Sequence, residues 1–574
     1  MKNYVKETIL LLLSLFVFLI SLNNNPRIAS LAFNADNLYP AVLYQDLITD
    51  GNPLYGWSLT PSPFFFPDIA VYFLIRALVS DSLIAVYGAY VFQVLFLLFA
   101  VLYFANGHRK TQTENAELQK TDLNKIILIV YSSFLILFSI HSYFFPVLGF
   151  AAHGGALSFS LFCYGLWKRL SIPSTENTEN GNLNLDGGFD KTRFVSFASL
   201  KFFSNSNERR RFYLWVLFGA FQILLIVSDP LFLLFFNGPF LFLSLDKLRK
   251  NRDRFTVLSL CVPFFCALLG LYLYRILTKS DFVFIPTGYY SGTPSWNWIQ
   301  PITVTIRSQF TASPFSFAFV LISYPILTLV KFFFGNKPEG AQTATILSDA
   351  DDRFFFLIAS VLISTFGIAV IGGLSGMSQT EGIHLRYLLP FLFFWIPLLA
   401  DSLFDLAMNY KKGIFFFCYG VFLFLFLLVL LWRNLKPALY QDGLAACLDR
   451  ISTDREKVRL GRGMSDFWSS RRIRIFSKTN LRADNYMRDL HPEYWQNSWN
   501  WFKKTPEHEY NFAVLPGLDE NLLKLEFGEP SFVSFCENYK ILIWDDAFPE
   551  RFRTFRKKKI EEIELWHTLT GRKF

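Results

Sequence analysis

The chain is short of charge. Asp, Glu, Lys and Arg make up 18% of its 574 residues, against about 25% in an ordinary soluble protein. It has 6 Cys, and none fall into a metal-binding spacing. It has no G-x-x-x-x-G-K-[ST] run and no G-x-G-x-x-G after a strand, so a nucleotide-driven pump on this chain alone is excluded. No internal repeat is present. A surplus of positive charge (+9) exists, but it sits in loops beside apolar runs, where it sets membrane orientation and does not mark nucleic-acid binding.

What the chain has is Phe, 68 of them, with aromatics at 18% and apolar residues at 52%. A soluble globule cannot hide that much Phe, Leu and Ile, so soluble enzymes and fibrous repeats are excluded and a polytopic membrane protein is expected. Lys2 and Lys6 precede the apolar run Thr8–Leu22, which reads as an uncleaved first span. Further runs near 83–105, 125–145, 147–167, 213–227, 230–245, 256–277, 313–334, 354–374, 388–405 and 413–432 bring the expected total to about eleven spans. The apolar segment 69–80 is short and contains Arg76, so it is expected to lie in the interface as an amphipathic helix.

With that assignment the N-terminus and the loops 106–125, 168–212, 246–255, 331–353 and 406–412 carry 24 Lys and Arg. The loops on the other side carry only Arg27, Arg76, Lys279, Arg307 and Arg386. The N-terminus is therefore expected in the cytoplasm, in the inner membrane, and the tail after residue 432 outside. The Ser- and Asn-rich stretch 171–208 reads as a long cytoplasmic loop.

The expected fold class is mainly α. A helical membrane domain (1–432) is followed by a small extracytoplasmic α/β domain (433–574), with helices over 438–451 and 519–527 and strands over Tyr510–Leu515 and Tyr539–Trp544. Trp468, Trp495, Trp499, Trp501 and Trp544 read as core or interface anchors in preference to sugar platforms. Cys163, Cys261, Cys266 and Cys418 lie in apolar runs, whereas Cys447 and Cys536 lie in the tail and can pair if it meets an oxidising compartment.

The candidate chemistry gathers at the outer ends of the spans. The first outer loop holds Asp36, Asp46, Asp50 and Asp68. Asp36, on a polar step before an apolar stretch, is the expected catalytic carboxylate. Asp46 and Asp50 read as caps or solvated loop acids, and Asp68 as a cap or a functional acid. His141 and His153 flank an outer turn, each as a packing residue or a ligand-binding one. Asp229, in S-D-P, either caps the following helix or faces a wet cavity. Glu381, His384 and Arg386 stand at the mouth of the late span, where Arg386 pairs with Glu381 or holds a lipid phosphate.

N-A-D-N-L-Y-P around Asp36, H-L-R-Y-L-L-P around Arg386, the many spans and the outer C-terminal domain together resemble the GT-C superfamily of integral-membrane glycosyltransferases. The resemblance implies a polyprenyl-phosphate-linked sugar as donor and Asp36 as base. Arg386 and His384 would be the groups meeting the phosphate, and Asp229, His153, Asp68 and Glu381 would orient substrate. The first loop lacks the paired adjacent acids of some branches, so a divalent metal stays open. The acceptor, a glycan, lipid or protein, is not specified. A flippase or transporter of a lipid-linked glycan and a non-catalytic membrane scaffold are the other function classes in play; no nucleic-acid partner is expected.

Overall fold

The computed structural model describes residues 4–106, 114–171, 206–250, 254–280, 282–286, single positions within 303–311, 314–334, 352–367, 385–432, 439–454, 459–493, 495–504, 510–544 and 548–570. Most of the 171–208 loop lies outside the described residues. The fold is mainly helical, with a small sheet near the C-terminus. Among the described residues six helical stretches are long and apolar enough to cross a membrane: Val5–Asn24, Ser82–Ala105, Lys120–Ser139, Thr256–Lys279, Leu389–Ala407 and Gly413–Leu431. Phe212–Ser228 and Pro314–Val330 are shorter apolar helices.

Two expected boundaries move. The run 147–167 becomes the helix Gly154–Leu170, because Ala151 and His153 adopt left-handed backbone and wind the residues before it into turns. The expected inner loop 406–412 is instead helical, part of Trp395–Trp432. Good helix formers such as Ala407, Lys411 and Lys412 fill it.

Aromatic packing dominates the bundle. Phe96 meets Phe159 at 4.7 Å between ring centres, and Phe66 meets Phe159 at 5.1 Å and Phe221 at 6.1 Å. Such edge and offset contacts contribute about 0.5–1.5 kcal/mol each beyond burial. The outward faces keep large apolar side chains exposed; Phe416 is 83% exposed and Leu431 82%. A continuous apolar surface of that kind is what lipid covers.

The two ends of the bundle differ in charge. At one end Lys168 and Lys247 both reach Asp352 (2.7 and 2.5 Å), and Arg353 pairs with Asp401 (3.3 Å). Lys168 lies in the last turn of the helix that His153 begins, so His153 and the Asp229 bonded to it lie at the opposite end. The chain returns to that opposite end after Trp395–Trp432. Tyr419 bonds Glu7 near the start of Val5–Asn24, whereas Tyr440 stacks on Phe33 at 4.0 Å and its N–H reaches Tyr87.

One short strand, β1 (Trp57–Ser58), lies in the first outer loop. The tail supplies the others: β2 (Arg462–Ser465), β3 (Arg482–Asn485), β4 (Asn497–Ser498), β5 (Tyr510–Leu515), β6 (Phe532–Cys536) and β7 (Tyr539–Ile543). Five of them form one sheet in the order β3-β2-β5-β7-β6. β3, β2 and β5 run parallel; β7 and β6 close the sheet antiparallel. Glu520–Phe527 falls where the sequence places it, whereas the helix expected over 438–451 starts only at Gly443 and runs to Thr453, because Asp442 caps it there; Asp519 caps the other. Cys447 and Cys536 form a disulfide, with Cα atoms 5.7 Å apart, that staples Gly443–Thr453 to β6.

The tail docks onto the first outer loop. β1 pairs antiparallel with β4. Beneath this ladder Asp46 is fully buried, which corrects its reading as a cap or solvated acid. It accepts from Trp57 Nε1 (2.8 Å), Trp501 Nε1 (2.5 Å), Asn52 Nδ2 (2.9 Å) and Arg474 Nη2 (3.2 Å). Asp50 takes Arg474 (2.8 Å) and Arg482 (2.6 Å). A buried carboxylate persists only with such a full set of donors. The helix Ala70–Leu78 has 9 residues, too few to cross a core about 30 Å thick at about 1.5 Å per residue. Its Arg76 turns back to the Val79 carbonyl and rests over Tyr44.

Candidate functional site

Asp36 reaches the site through a break in the first helix. Asn25 caps Pro26–Ala32 by accepting from the N–H groups of Arg27 and Ile28, with Pro26 at the first helical position. Asn34 then accepts from Asn37 N–H, and Asn37 donates to the Leu31 carbonyl. These bonds hold the N-A-D-N turn with Asp36 half-buried, its Oδ1 accepting from Gln496 Nε2 at 3.3 Å.

The other wall comes from the helix ends. His153 is 4% exposed, and its Nδ1 lies 2.7 Å from Asp229 Oδ2. Asp229 Oδ1 accepts from Ser62 Oγ (3.1 Å) and Leu231 N–H (3.2 Å). Asp229 therefore begins the next turn, as one of its two readings expects, and orients the imidazole; it is buried and does not itself line the cavity. The first loop is strapped down here: Phe64 N–H donates to the Ser228 carbonyl and Phe66 N–H to Ser228 Oγ. A Cβ at Gly155 would stand 2.7 Å from Pro67 and 2.8 Å from Asp68 Oδ2, so only glycine lets the loop sit this close. His141 instead caps the turn Ser142–Val147, accepting from Tyr143 N–H.

Asp36 and His153 line one cavity with Thr60, Pro61, Ser62, Phe64, Ala151, Tyr387, Trp495 and Gln496. It encloses about 450 Å³ with its open mouth included. Asp229 and Asp68 stand behind this wall, within their own hydrogen bonds. Arg386 lies on the turn Leu385–Leu388, and its neighbour Tyr387 lines the cavity with its ring 5.2 Å from that of His153. The Arg386 side chain, Glu381 and His384 lie outside the described residues. Among the described residues no group of three His, Cys, Asp or Glu is placed to hold a metal.

Sequence reading missed the tail's share. Trp495 and Gln496 form the cavity's far side, and Arg471 holds their turn, donating to both carbonyls. Arg471 is 2% exposed, and among the described residues its Nε and Nη1 have no hydrogen-bond partner. Burial pulls its proton affinity down to about 10, and the Asp36 charge partly offsets this. Trp495 was legible only as an aromatic anchor and Gln496 and Arg471 carried no local signal, because their role exists only once the tail docks. Thr60 and Ser62 were visible as a polar T-P-S-P run but carried no chemistry until placed.

The chain matches no protein-family model and no curated protein sequence. Its function must be argued from the cavity.

Burial pushes the Asp68 carboxyl up from 3.8 to about 7; the Ala151 N–H pulls it down, and the Asp229 charge adds to the rise. The folded chain thus holds this proton more tightly than the unfolded one. The stability this contributes is complete below about pH 4 and is lost as pH rises through about 7. Asp68→Asn keeps an oxygen for Ala151 and removes the charge. Melting curves at about pH 5 and about pH 8 should therefore show a smaller pH-dependent loss in the variant. The difference should reach a few kcal/mol, since each tenfold change in proton affinity corresponds to about 1.4 kcal/mol. Parallel pH profiles in the two proteins would refute this account of Asp68.

Proposed function

We propose that the chain is an integral-membrane glycosyltransferase, similar in plan to the GT-C superfamily, that transfers a sugar from a polyprenyl-phosphate donor to an extracytoplasmic acceptor. The membrane part is read as about eleven spans over 1–432, in the inner membrane with the N-terminus inside. The domain 433–574 then stands outside, and the helix Ala70–Leu78 lies in the interface. One observation carries the reading: Asp36, His153 with its Asp229, and the turn bearing Arg386 meet around one cavity at the bundle end opposite the Lys-rich cluster.

In this reading Asp36 takes the proton of the acceptor hydroxyl as its oxygen bonds to the sugar's anomeric carbon. The bond from that carbon to the phosphate oxygen breaks, and its electron pair leaves with the phosphate. Arg386 and His384 meet that growing charge. His153, Asp229, Asp68 and Glu381 orient hydroxyls. The half-buried rings of Phe66, Phe96, Phe162 and Phe221 begin beside Phe64 at the cavity, and they suit a prenyl chain. The disulfide of Cys447 and Cys536 supports placing the tail in an oxidising compartment.

The test uses the full-length protein in liposomes with radiolabelled polyprenyl-phosphate sugars. The expected result is loss of sugar from the lipid with release of polyprenyl phosphate. Label that crosses the bilayer still attached to its lipid would replace the enzyme by a flippase, and neither outcome would leave only the scaffold. In intact cells Cys447 and Cys536 should react with an impermeant maleimide only after an impermeant reductant is added. Failure to label under those conditions would place the tail inside and end the outward-facing site.

A further inference from the structure

Three ties fix the Trp495–Gln496 turn at the cavity. Gln496 has left-handed backbone (φ 50°), which a non-glycine residue keeps only where its surroundings over-determine it. Arg471, buried, grips the carbonyls of both residues. The β1–β4 ladder ties Asn497–Ser498 to Trp57–Ser58, just ahead of Thr60 and Ser62 on the facing wall. Trp499, Trp501 and Trp544 are buried anchors, as their place in the sequence leads one to expect. Trp495 differs from them: it is half-exposed and lines the cavity.

The lining is chemically mixed. Three aromatics, Phe64, Tyr387 and Trp495, stand among two hydroxyls, an amide, a carboxylate and an imidazole. An apolar ligand would leave those polar groups unpaired at a cost. A bare phosphate would have no use for the aromatic faces. A pyranose has both features, an apolar C–H face and a rim of hydroxyls.

We propose that the Trp495–Gln496 turn is the sugar subsite of this cavity, with the Trp495 ring packed on the C–H face of the donor's sugar and Gln496 at its hydroxyl edge beside Asp36. The proposal rests on the transfer reading above and adds that the C-terminal domain, not the membrane bundle, recognises the sugar. The lipid phosphate is held separately, on the Arg386 side.

Binding of polyprenyl phosphate to the full chain in nanodiscs, bare or carrying a single hexose, separates the two claims. Wild type is expected to bind both and to prefer the sugar-bearing lipid. Trp495→Leu is expected to lose about tenfold in affinity for the sugar-bearing lipid, with the bare lipid unchanged. Trp495→Tyr, which keeps a ring, should retain most of the preference. If Trp495→Leu binds both lipids as wild type does, or loses both equally, the subsite is overturned while the transfer reading stands. If wild type binds neither lipid, the transfer reading fails and the subsite with it. Should Trp495→Leu not fold, Trp495→Met decides between the same outcomes.

Discussion

Asp36→Asn is expected to abolish sugar transfer and to leave the protein folded. The substitution preserves shape, and the side-chain oxygen that accepts from Gln496 Nε2 at 3.3 Å can remain. The basicity goes, and with it the negative charge that faces Arg471. General-base catalysis contributes about 10²–10⁴-fold, so single-turnover transfer in liposomes should slow by that factor. Donor binding should change little, because the base acts on the acceptor proton and not on the lipid. The melting temperature should fall somewhat, because Asn removes the charge that faces buried Arg471, and retained donor binding checks that the variant is folded. Transfer near the wild-type rate would remove Asp36 from the mechanism. Asp68 would then be the carboxylate to test: it is buried, its proton affinity is raised to about 7, and it stands behind the same wall.

Asp46→Ala should detach the C-terminal domain from the first outer loop. Asp46 and Arg474 are each almost wholly buried, with side-chain exposures of 0% and 3%. Arg474 also lies over the Trp501 ring at 3.8 Å. Removing the carboxylate leaves two buried indole N–H groups without their acceptor and the buried guanidinium with only Asp50 and Gln45. Breaking a buried ion pair from one side costs about 3–5 kcal/mol. The expected result is a separate early melting step and faster proteolysis between the bundle and the sheet, with activity falling as the Trp495–Gln496 side of the cavity moves away. Asp46→Asn combined with Arg474→Met removes both charges and should recover part of the loss. Melting and proteolysis of Asp46→Ala indistinguishable from wild type would show that this cluster does not hold the docking.

Some of this protein was legible along the chain. Apolar run length and Lys and Arg asymmetry located the bundle and separated its two ends, because span length and loop charge are local properties. Tyr510–Leu515 and the helix at Glu520–Phe527 were legible for the same reason: a β-rich apolar run and an Asp cap act within one turn or strand. The strands Arg462–Ser465 and Arg482–Asn485 were not. They are short and polar, and they are strands because Arg462 pairs with Asp484 across their ladder.

The site divides in the same way. Asp36, Asp68, His153 and Asp229 stood out because charge at a span end is costly and therefore conspicuous. That His153 would take Asp229 at 2.7 Å, that Asp46 would be a buried hub rather than a loop acid, and that Trp495 and Gln496 would close the cavity were decided only by the tertiary structure. Each depends on a contact between residues far apart in the chain, 460 positions for Gln496 and Asp36. The energy of such a contact exists only after the loop, the helix ends and the tail have been brought together by packing that no single segment encodes.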